Sequence, residues 1–277
     1  MLRVESFVKK YEGFCLEIPF LEVRPGEIVG LLGHNGAGKS TLLKGIVGVI
    51  STEPGSTVRI GGESIAPLDR NRYVSLIAER HPMYAWMTVD EHFKFLSRFY
   101  RSWDWALNRR LCERLRVPGA KRILELSKGT QLKTAIISAL SQHPKVLLLD
   151  EPTSGLDLES RTEILDQLYE AKSGGSAVIF SSHIVEDIQS VATSVAILAN
   201  GQLRLVSPVD NIYSDWIAYV VKIKPANSAE KFIRCEDGSW VGVHPLRGSP
   251  VPAPDYAHMV TRRPASLREV FLTVGAQ

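Results

Sequence analysis

Apolar and polar residues alternate over residues 2–8 and again over 14–23, which predicts two half-buried strands. Arg24-Pro25-Gly26-Glu27 reads as a turn. The pattern then changes to a buried strand at 27–32, without polar residues after Glu27, followed by a helix over 41–47. Pro54-Gly55 and Gly61-Gly62 make 51–65 hairpin-like, and 73–78 is another short apolar strand, ending at Glu79.

From residue 88 the period becomes helical. Thr88 and Glu91 form a capping-box pattern, and Val89, Phe93, Leu96 and Tyr100 follow at helical spacing. Residues 88–117 are expected as one helical segment that Pro118-Gly119 breaks. Its arginines, Arg98, Arg101, Arg109, Arg110, Arg114 and Arg116, read as a solvated face. A second helix is predicted over 130–142. Beyond it come a fully apolar strand at 146–149, a helix at 158–172, a strand at 177–180, a helix at 184–192 and a strand at 195–199. Asn200-Gly201 is a strong hairpin signal before 202–206. Alternation of strands and helices from 27 to 199 implies an α/β fold with a mostly parallel sheet. The tail, 207–277, has strand-like stretches at 220–224 and 239–243 and a Pro-rich loop from Gly248 to Pro254. A last helix begins at Ser266 and Glu269, and together these suggest a small α+β appendage.

Bulk properties change this picture little. The 277 residues suffice for one large or two modest domains, and 44% hydrophobic content allows a sizeable core. A net charge of +3 is too weak to argue for nucleic acid. Cys15, Cys112 and Cys235 are scattered and odd in number, so no disulfide framework or zinc site is expected, and a reducing compartment is. No signal peptide pattern is read at Met1 to Lys10, and no apolar run approaches a membrane span.

The stretch that carries chemistry is GHNGAGKST, from Gly33 to Thr41, which fits G-x-x-x-x-G-K-[ST]. Glycines let the backbone N–H groups of Gly33, His34, Asn35, Gly36, Ala37 and Gly38 close on phosphate oxygens. Lys39 supplies a point charge, the Ser40 hydroxyl can ligate Mg²⁺, and the helix after it presents an N-terminus that favours anions. Four such positions arise by chance on the order of once in a hundred chains of this length. The flanking strand and helix lower that further. Asp150 closes the apolar strand at 146–149, placing a carboxylate at the sheet edge where α/β proteins bind ligands, with Glu151 beside it. His183, just after the strand at 177–180, could reach a terminal phosphate.

These motifs, in this order, resemble the nucleotide-binding domain of ABC transporters over about residues 1–210. Gly33–Thr41 is similar to the Walker A loop, and Val146–Glu151 to Walker B with its trailing glutamate. Ser154-Gly155-Leu156-Asp157 is similar to the D-loop, and His183 to the switch histidine. Leu126-Ser127-Lys128-Gly129-Thr130 stands where the LSGGQ signature belongs. Tyr11 is placed to stack on adenine, with Phe14 as a competitor. Three departures stand out: the signature has Lys128 in place of a glycine and Thr130 in place of glutamine, Glu79 occupies the usual glutamine position of the Q-loop, and the Tyr11-to-Pro25 interval is shorter than usual. The Leu-Ser-Lys-Gly signature and the Ser-Leu-Arg-Glu-Val-Phe-Leu ending resemble the YtrB-like ATPases of the ABC-2 exporter group.

The resemblance implies a P-loop NTPase core of RecA type, an N-terminal antiparallel β subdomain and a helical signature subdomain at about 86–143. The ATPase domain would span 1–206 and a small accessory domain 207–277. It implies ATP and Mg²⁺ as cofactors, with Ser40, Glu79 and Asp150 near the metal and Glu151 and His183 acting on the γ-phosphate. Two such domains, identical or paralogous, would pair head to tail, so that Ser127, Lys128, Gly129 and Thr130 act on the partner's ATP. A separate membrane permease would be driven from the cytoplasmic face, with the free subunit cytoplasmic. No nucleic-acid partner is expected. Competing readings are a soluble ABC ATPase of the ribosome-factor or DNA-repair kind and a regulatory ATP-binding module without turnover. Tyr84-Ala85-Trp86-Met87, Trp103 and Trp105 read mostly as packing, while the resemblance implies that Pro82 to Trp86 borders a groove for the permease.

Overall fold

A computed structural model describes residues 1–80, 82–222, 224, 232–235, 237–246 and 259–275. The chain opens with a hairpin of β1 (Leu2–Tyr11) and β2 (Phe14–Val23), then β3 (Ile28–Leu32) and α1 (Lys39–Val47). β4 (Thr57–Ile60), β5 (Glu63–Ser64) and β6 (Val74–Ile77) follow, then α2 (Val89–Ser97), α3 (Trp105–Arg114) and α4 (Lys128–Leu140). The pattern β7 (Val146–Leu149), α5 (Leu158–Ser173), β8 (Ala177–Ser182), α6 (Val185–Val191), β9 (Ser194–Ala199) completes the α/β core. β10 (Gln202–Pro208), α7 (Val209–Asp215), β11 (Trp216–Val221), β12 (Phe232–Arg234), β13 (Trp240–Pro245), β14 (Met259–Pro264) and α8 (Leu267–Val274) end it.

Ten strands form one mixed sheet in the order β5-β4-β1-β2-β10-β9-β3-β8-β7-β6. β9, β3, β8, β7 and β6 run parallel, whereas β1, β2, β4 and β5 are antiparallel among themselves. The antiparallel strands and the parallel core are therefore a single sheet, joined by β10. β10 is antiparallel to β9 and meets β2 in parallel at Gln202↔Glu17. The Asn200-Gly201 turn makes that junction. Both residues have positive φ, 49° and 75°. A Cβ on Gly201 would lie 1.9 Å from the Cys15 carbonyl oxygen, while Glu17 N–H donates to the Gly201 carbonyl at 2.6 Å. Only glycine tolerates both the turn and this approach.

The continuous apolar runs arise because both sheet faces are covered. In β7, Val146 and Leu148 face α1 and the N-terminal hairpin, and Leu147 and Leu149 face α4 and α5. All four are fully buried. At about 1.5–3 kcal/mol per large side chain, this strand is a main anchor of the fold.

The stretch expected as one helix, 88–117, is two. α2 ends at Ser97 and α3 starts after Asp104, whose carboxylate accepts from the Ala106 and Leu107 N–H groups, both at 2.9 Å. This cap starts a new helix where periodicity alone runs on. The six arginines are all solvent-exposed. In the tail, β12, β13, β11 and β14 form a separate antiparallel sheet. Its central strand begins at Trp216, not at 220, because Trp216, Ala218 and Val220 pack into the same core as α8. The Gly248–Pro254 loop and Ile223 lie outside the described residues.

Candidate nucleotide site

β3 runs into the 33–38 loop and α1, as the apolar-run-to-helix pattern requires. Gly38, at φ 108°, caps α1, and a Cβ there would press on Leu16 and Phe14 at 3.0 and 3.1 Å. Lys39 is buried, and its Nζ donates back into the loop, to the Gly33 carbonyl at 2.6 Å and the His34 carbonyl at 3.4 Å.

The end of β7 comes beside this lysine. Glu151 Oε1 stands 3.1 Å from Lys39 Nζ, an ion pair lying off the hydrogen-bond direction. Its Oε2 is 2.8 Å from His183 Nδ1. Glu151 is held in a left-handed conformation, φ 49°, and its N–H donates to Ser181 Oγ at 2.9 Å. The same Ser181 hydroxyl donates to Asp150 Oδ1 at 2.8 Å. A strained, non-glycine φ persists only where the surroundings over-determine it. Here one serine on β8 fixes both acidic neighbours.

A cavity of about 490 Å³ is lined by Tyr11, Phe14, His34 to Thr41, Glu151 and His183. A second, about 650 Å³, has Ser40, Asp150 and Glu79 on its wall. A third, about 570 Å³, lies between Lys128, Gln131 and the Asp150–Glu151 pair. Glu79 lines all three. Tyr11 and Phe14 face one another at the tip of the β1–β2 hairpin. Phe14 is the one whose ring lies under Gly38.

Ser127 and Thr130 do not line the cavity at the phosphate loop. Ser127 caps α4, accepting from Thr130 N–H at 3.2 Å, and Ser127 and Lys128 are exposed, Lys128 on the wall of the third cavity. Gly129 is buried against Ser160, so the starts of α4 and α5 abut. Asp157 caps α5 by accepting from Ser160 N–H at 2.8 Å and Ser160 Oγ at 3.0 Å. The bond from the Ser160 backbone, then that from its side chain, hold the Asp157 carboxyl below its ordinary range.

Sequence reasoning missed the partners that place these groups. Ser181 is one. Asp187 on α6 is another: buried, it accepts from Thr153 Oγ1 at 2.5 Å and from Arg161 Nε. The signal available was an acidic residue one helical turn beyond His183, which shows no partner until the fold closes. The third is Phe271, which stacks on His34.

An ABC transporter family profile matches residues 17–154. Over 214 residues the chain is 35% identical to the uncharacterized ABC transporter ATP-binding protein YxlF of Bacillus subtilis, covering 73% of this chain and 69% of that one. This chain belongs to the ABC transporter family. It is the ATP-binding subunit of a transporter, and its family hydrolyses ATP. It is also 28% identical over 219 residues to the ABC transporter ATP-binding protein YtrB of Bacillus subtilis, with 78% of this chain and 75% of that one aligned. With the uncharacterized ABC transporter ATP-binding protein MJ1023 of Methanocaldococcus jannaschii it shares 32% identity over 248 residues, 85% of this chain and 88% of the relative. A solved ATP-binding subunit of an ABC transporter superposes with TM-score 0.69 at 29% identity, over 77% of this chain and 92% of that one. The dimeric cassette MJ0796 superposes with TM-score 0.66 at 19% identity, over 75% and 98% of the two chains, and shows the same fold. These relatives do not favour a ribosome-factor or repair ATPase. Among the described residues no helix is long and apolar enough to cross a membrane.

Proposed function

We propose that this ABC subunit works as a head-to-tail dimer, with itself or a paralogue, at the cytoplasmic face of a membrane, and drives a separate permease chain as an exporter of the ABC-2 type. The observation that carries the reading is the meeting of Lys39, Glu151 and His183 at one cavity, while Ser127 is exposed at the cap of α4 outside that cavity. Such a subunit holds each half of a composite site and needs a partner to complete it. The dimeric state of the MJ0796 cassette and the YtrB relationship support the reading.

In this site the Gly33–Thr41 backbone and Lys39 bind the triphosphate. Glu151 orients a water and takes its proton as the oxygen attacks the γ-phosphorus and the bond to the ADP oxygen breaks. His183 steadies the transferring phosphoryl group. Catalysis here is positioning and charge stabilisation. Ser40, Asp150 and Glu79 offer only oxygen donors around one cavity, which suits Mg²⁺. When bound, the ion would neutralise phosphate charge. Tyr11 or Phe14 would support the adenine. Ser127 and the Gly129 backbone, flanked by Lys128 and Thr130, would close on the partner's ATP, with Asp157 at the seam. The groove bordered by Pro82 and Met83, beside exposed Tyr84 and Trp86, would receive the permease.

Mixing subunits tests the composite site. Lys39→Ala and Ser127→Arg homodimers should both be inactive, whereas heterodimers carry one intact site and should recover ATPase activity. No recovery under conditions where heterodimers form would refute the head-to-tail arrangement.

A further inference from the structure

The C-terminal helix reaches the phosphate loop. The rings of His34 and Phe271 stack with centroids 4.9 Å apart and planes 30° apart. His34 lies in the first turn of the loop, and its backbone does two jobs there. Its carbonyl accepts from Ala37 N–H at 3.1 Å and from Lys39 Nζ at 3.4 Å. The orientation of residue 34 therefore helps set both the loop's curl and the position of the lysine.

Phe271 is a firm support. Its side chain is 5% exposed and belongs to the core that α8 shares with β9, α6 and the second sheet. α8 itself is placed by a capping box: Glu269 N–H donates to Ser266 Oγ at 3.2 Å, and Ser266 N–H donates to Glu269 Oε2 at 2.9 Å. Arg263 on β14 donates to both oxygens of Glu269. The same helix packs on α6, which directly follows the His183 loop. α8 of the C-terminal appendage thus touches both the phosphate loop and the helix that follows His183.

We infer that Phe271 is a positioning residue for ATP: through the His34 ring, α8 holds the phosphate loop in its binding shape. This rests on the reading of residues 33–41 as the ATP phosphate loop. Sequence position hides the relationship, since the two rings sit at opposite ends of the chain. It also gives the appendage a stated role, as part of the scaffold of the nucleotide site. A stacked pair of this kind is worth roughly a 2- to 12-fold change in an equilibrium constant. The expected effect is therefore moderate and confined to binding.

The test is a double-mutant cycle on the full chain, read by the Kd of a fluorescent ATP analogue, by ATPase kinetics and by thermal melting. His34→Ala and Phe271→Leu should each raise Kd by about 3- to 10-fold, and the double variant should be no worse than the weaker single. In Phe271→Leu the loss should appear in KM far more than in kcat. Phe271→Tyr, which keeps the ring, should restore affinity. Because Phe271→Leu could disturb the core, His34→Ala, at a solvent-exposed side chain, reads the same contact without touching α8's packing. Additive effects in the double variant, or an unchanged Kd in His34→Ala, would overturn the inference. Lys39→Ala separates the two levels. If it abolishes ATP binding while the cycle shows no coupling, only the role of Phe271 falls. If it binds ATP like the wild type, the phosphate-loop reading falls with it.

Discussion

The Thr153 hydroxyl donates to the buried carboxylate of Asp187 across 2.5 Å, and Arg161 donates to the other oxygen. Thr153 lies two residues beyond Glu151, Arg161 is on α5 behind Asp157, and Asp187 is on the helix that follows His183. One carboxylate thus ties together the segments bearing three residues of the site. Burying a carboxylate is costly unless both oxygens are paired, so this network has little freedom to shift.

Asp187→Asn keeps the shape but removes the charge that pairs with Arg161 and leaves one acceptor oxygen where the carboxylate offers two. Stability should fall by about 1–3 kcal/mol. Turnover should fall roughly tenfold while ATP affinity holds, because the phosphate loop is untouched. Melting curves beside steady-state kinetics decide this. A stability loss with kcat intact would reduce the network to a purely structural one.

Glu151→Gln retains size and the Ser181 contact to the backbone but lacks a base. Turnover should drop by about 10²–10⁴-fold. ATP binding should survive, and an ATP-bound dimer should accumulate on gel filtration. Near wild-type turnover would remove Glu151 from its proposed role.

Glu79 borders all three cavities beside Asp150. A carboxylate there should favour a bound cation more than an amide does. Glu79→Gln should therefore shift the Mg²⁺ dependence of ATPase activity to higher concentration, with little change in nucleotide affinity measured without metal. As an exposed loop position it should cost within about 0.5 kcal/mol of stability. Superimposable Mg²⁺ titrations would exclude Glu79 from the metal's surroundings.

His92 on α2 is buried, its Nδ1 has no hydrogen-bond partner among the described residues, and burial pushes its pKa down to about 4. The unfolded chain protonates it near pH 6.5. Above that pH both states are neutral and its contribution to stability is complete. Between about 6.5 and 4 the unfolded state gains a proton that the folded state refuses. Stability should then fall by about 1.4 kcal/mol per pH unit, up to about 3 kcal/mol in all. In His92→Gln this part of the slope between pH 7 and 4 should vanish in urea titrations, whatever the variant's absolute stability. An unchanged slope would assign the acid sensitivity to other groups.

What the sequence alone determined is whatever is written in consecutive residues. The Gly33–Thr41 loop is legible because its glycines, lysine and serine act on a phosphate from one turn of chain. The strand at 146–149 is legible because burial on both faces demands an unbroken apolar run, and Asp150 must then emerge at its end. Asn200-Gly201 announced its hairpin because few residue pairs accept two positive φ values. The expected helix over 88–117 failed for a local reason: the Asp104 cap interrupts a periodicity that continues across it. Only the tertiary structure decided the partners of the site. Strand order sets β8 between β3 and β7, which brings Ser181 under Asp150 and Glu151, and sets β9 on the other side of β3, where α8 packs and Phe271 meets His34. Those contacts join positions far apart in the chain. They carry no sequence period, because a packed ring or a buried carboxylate selects its neighbour by where the folded backbone puts it.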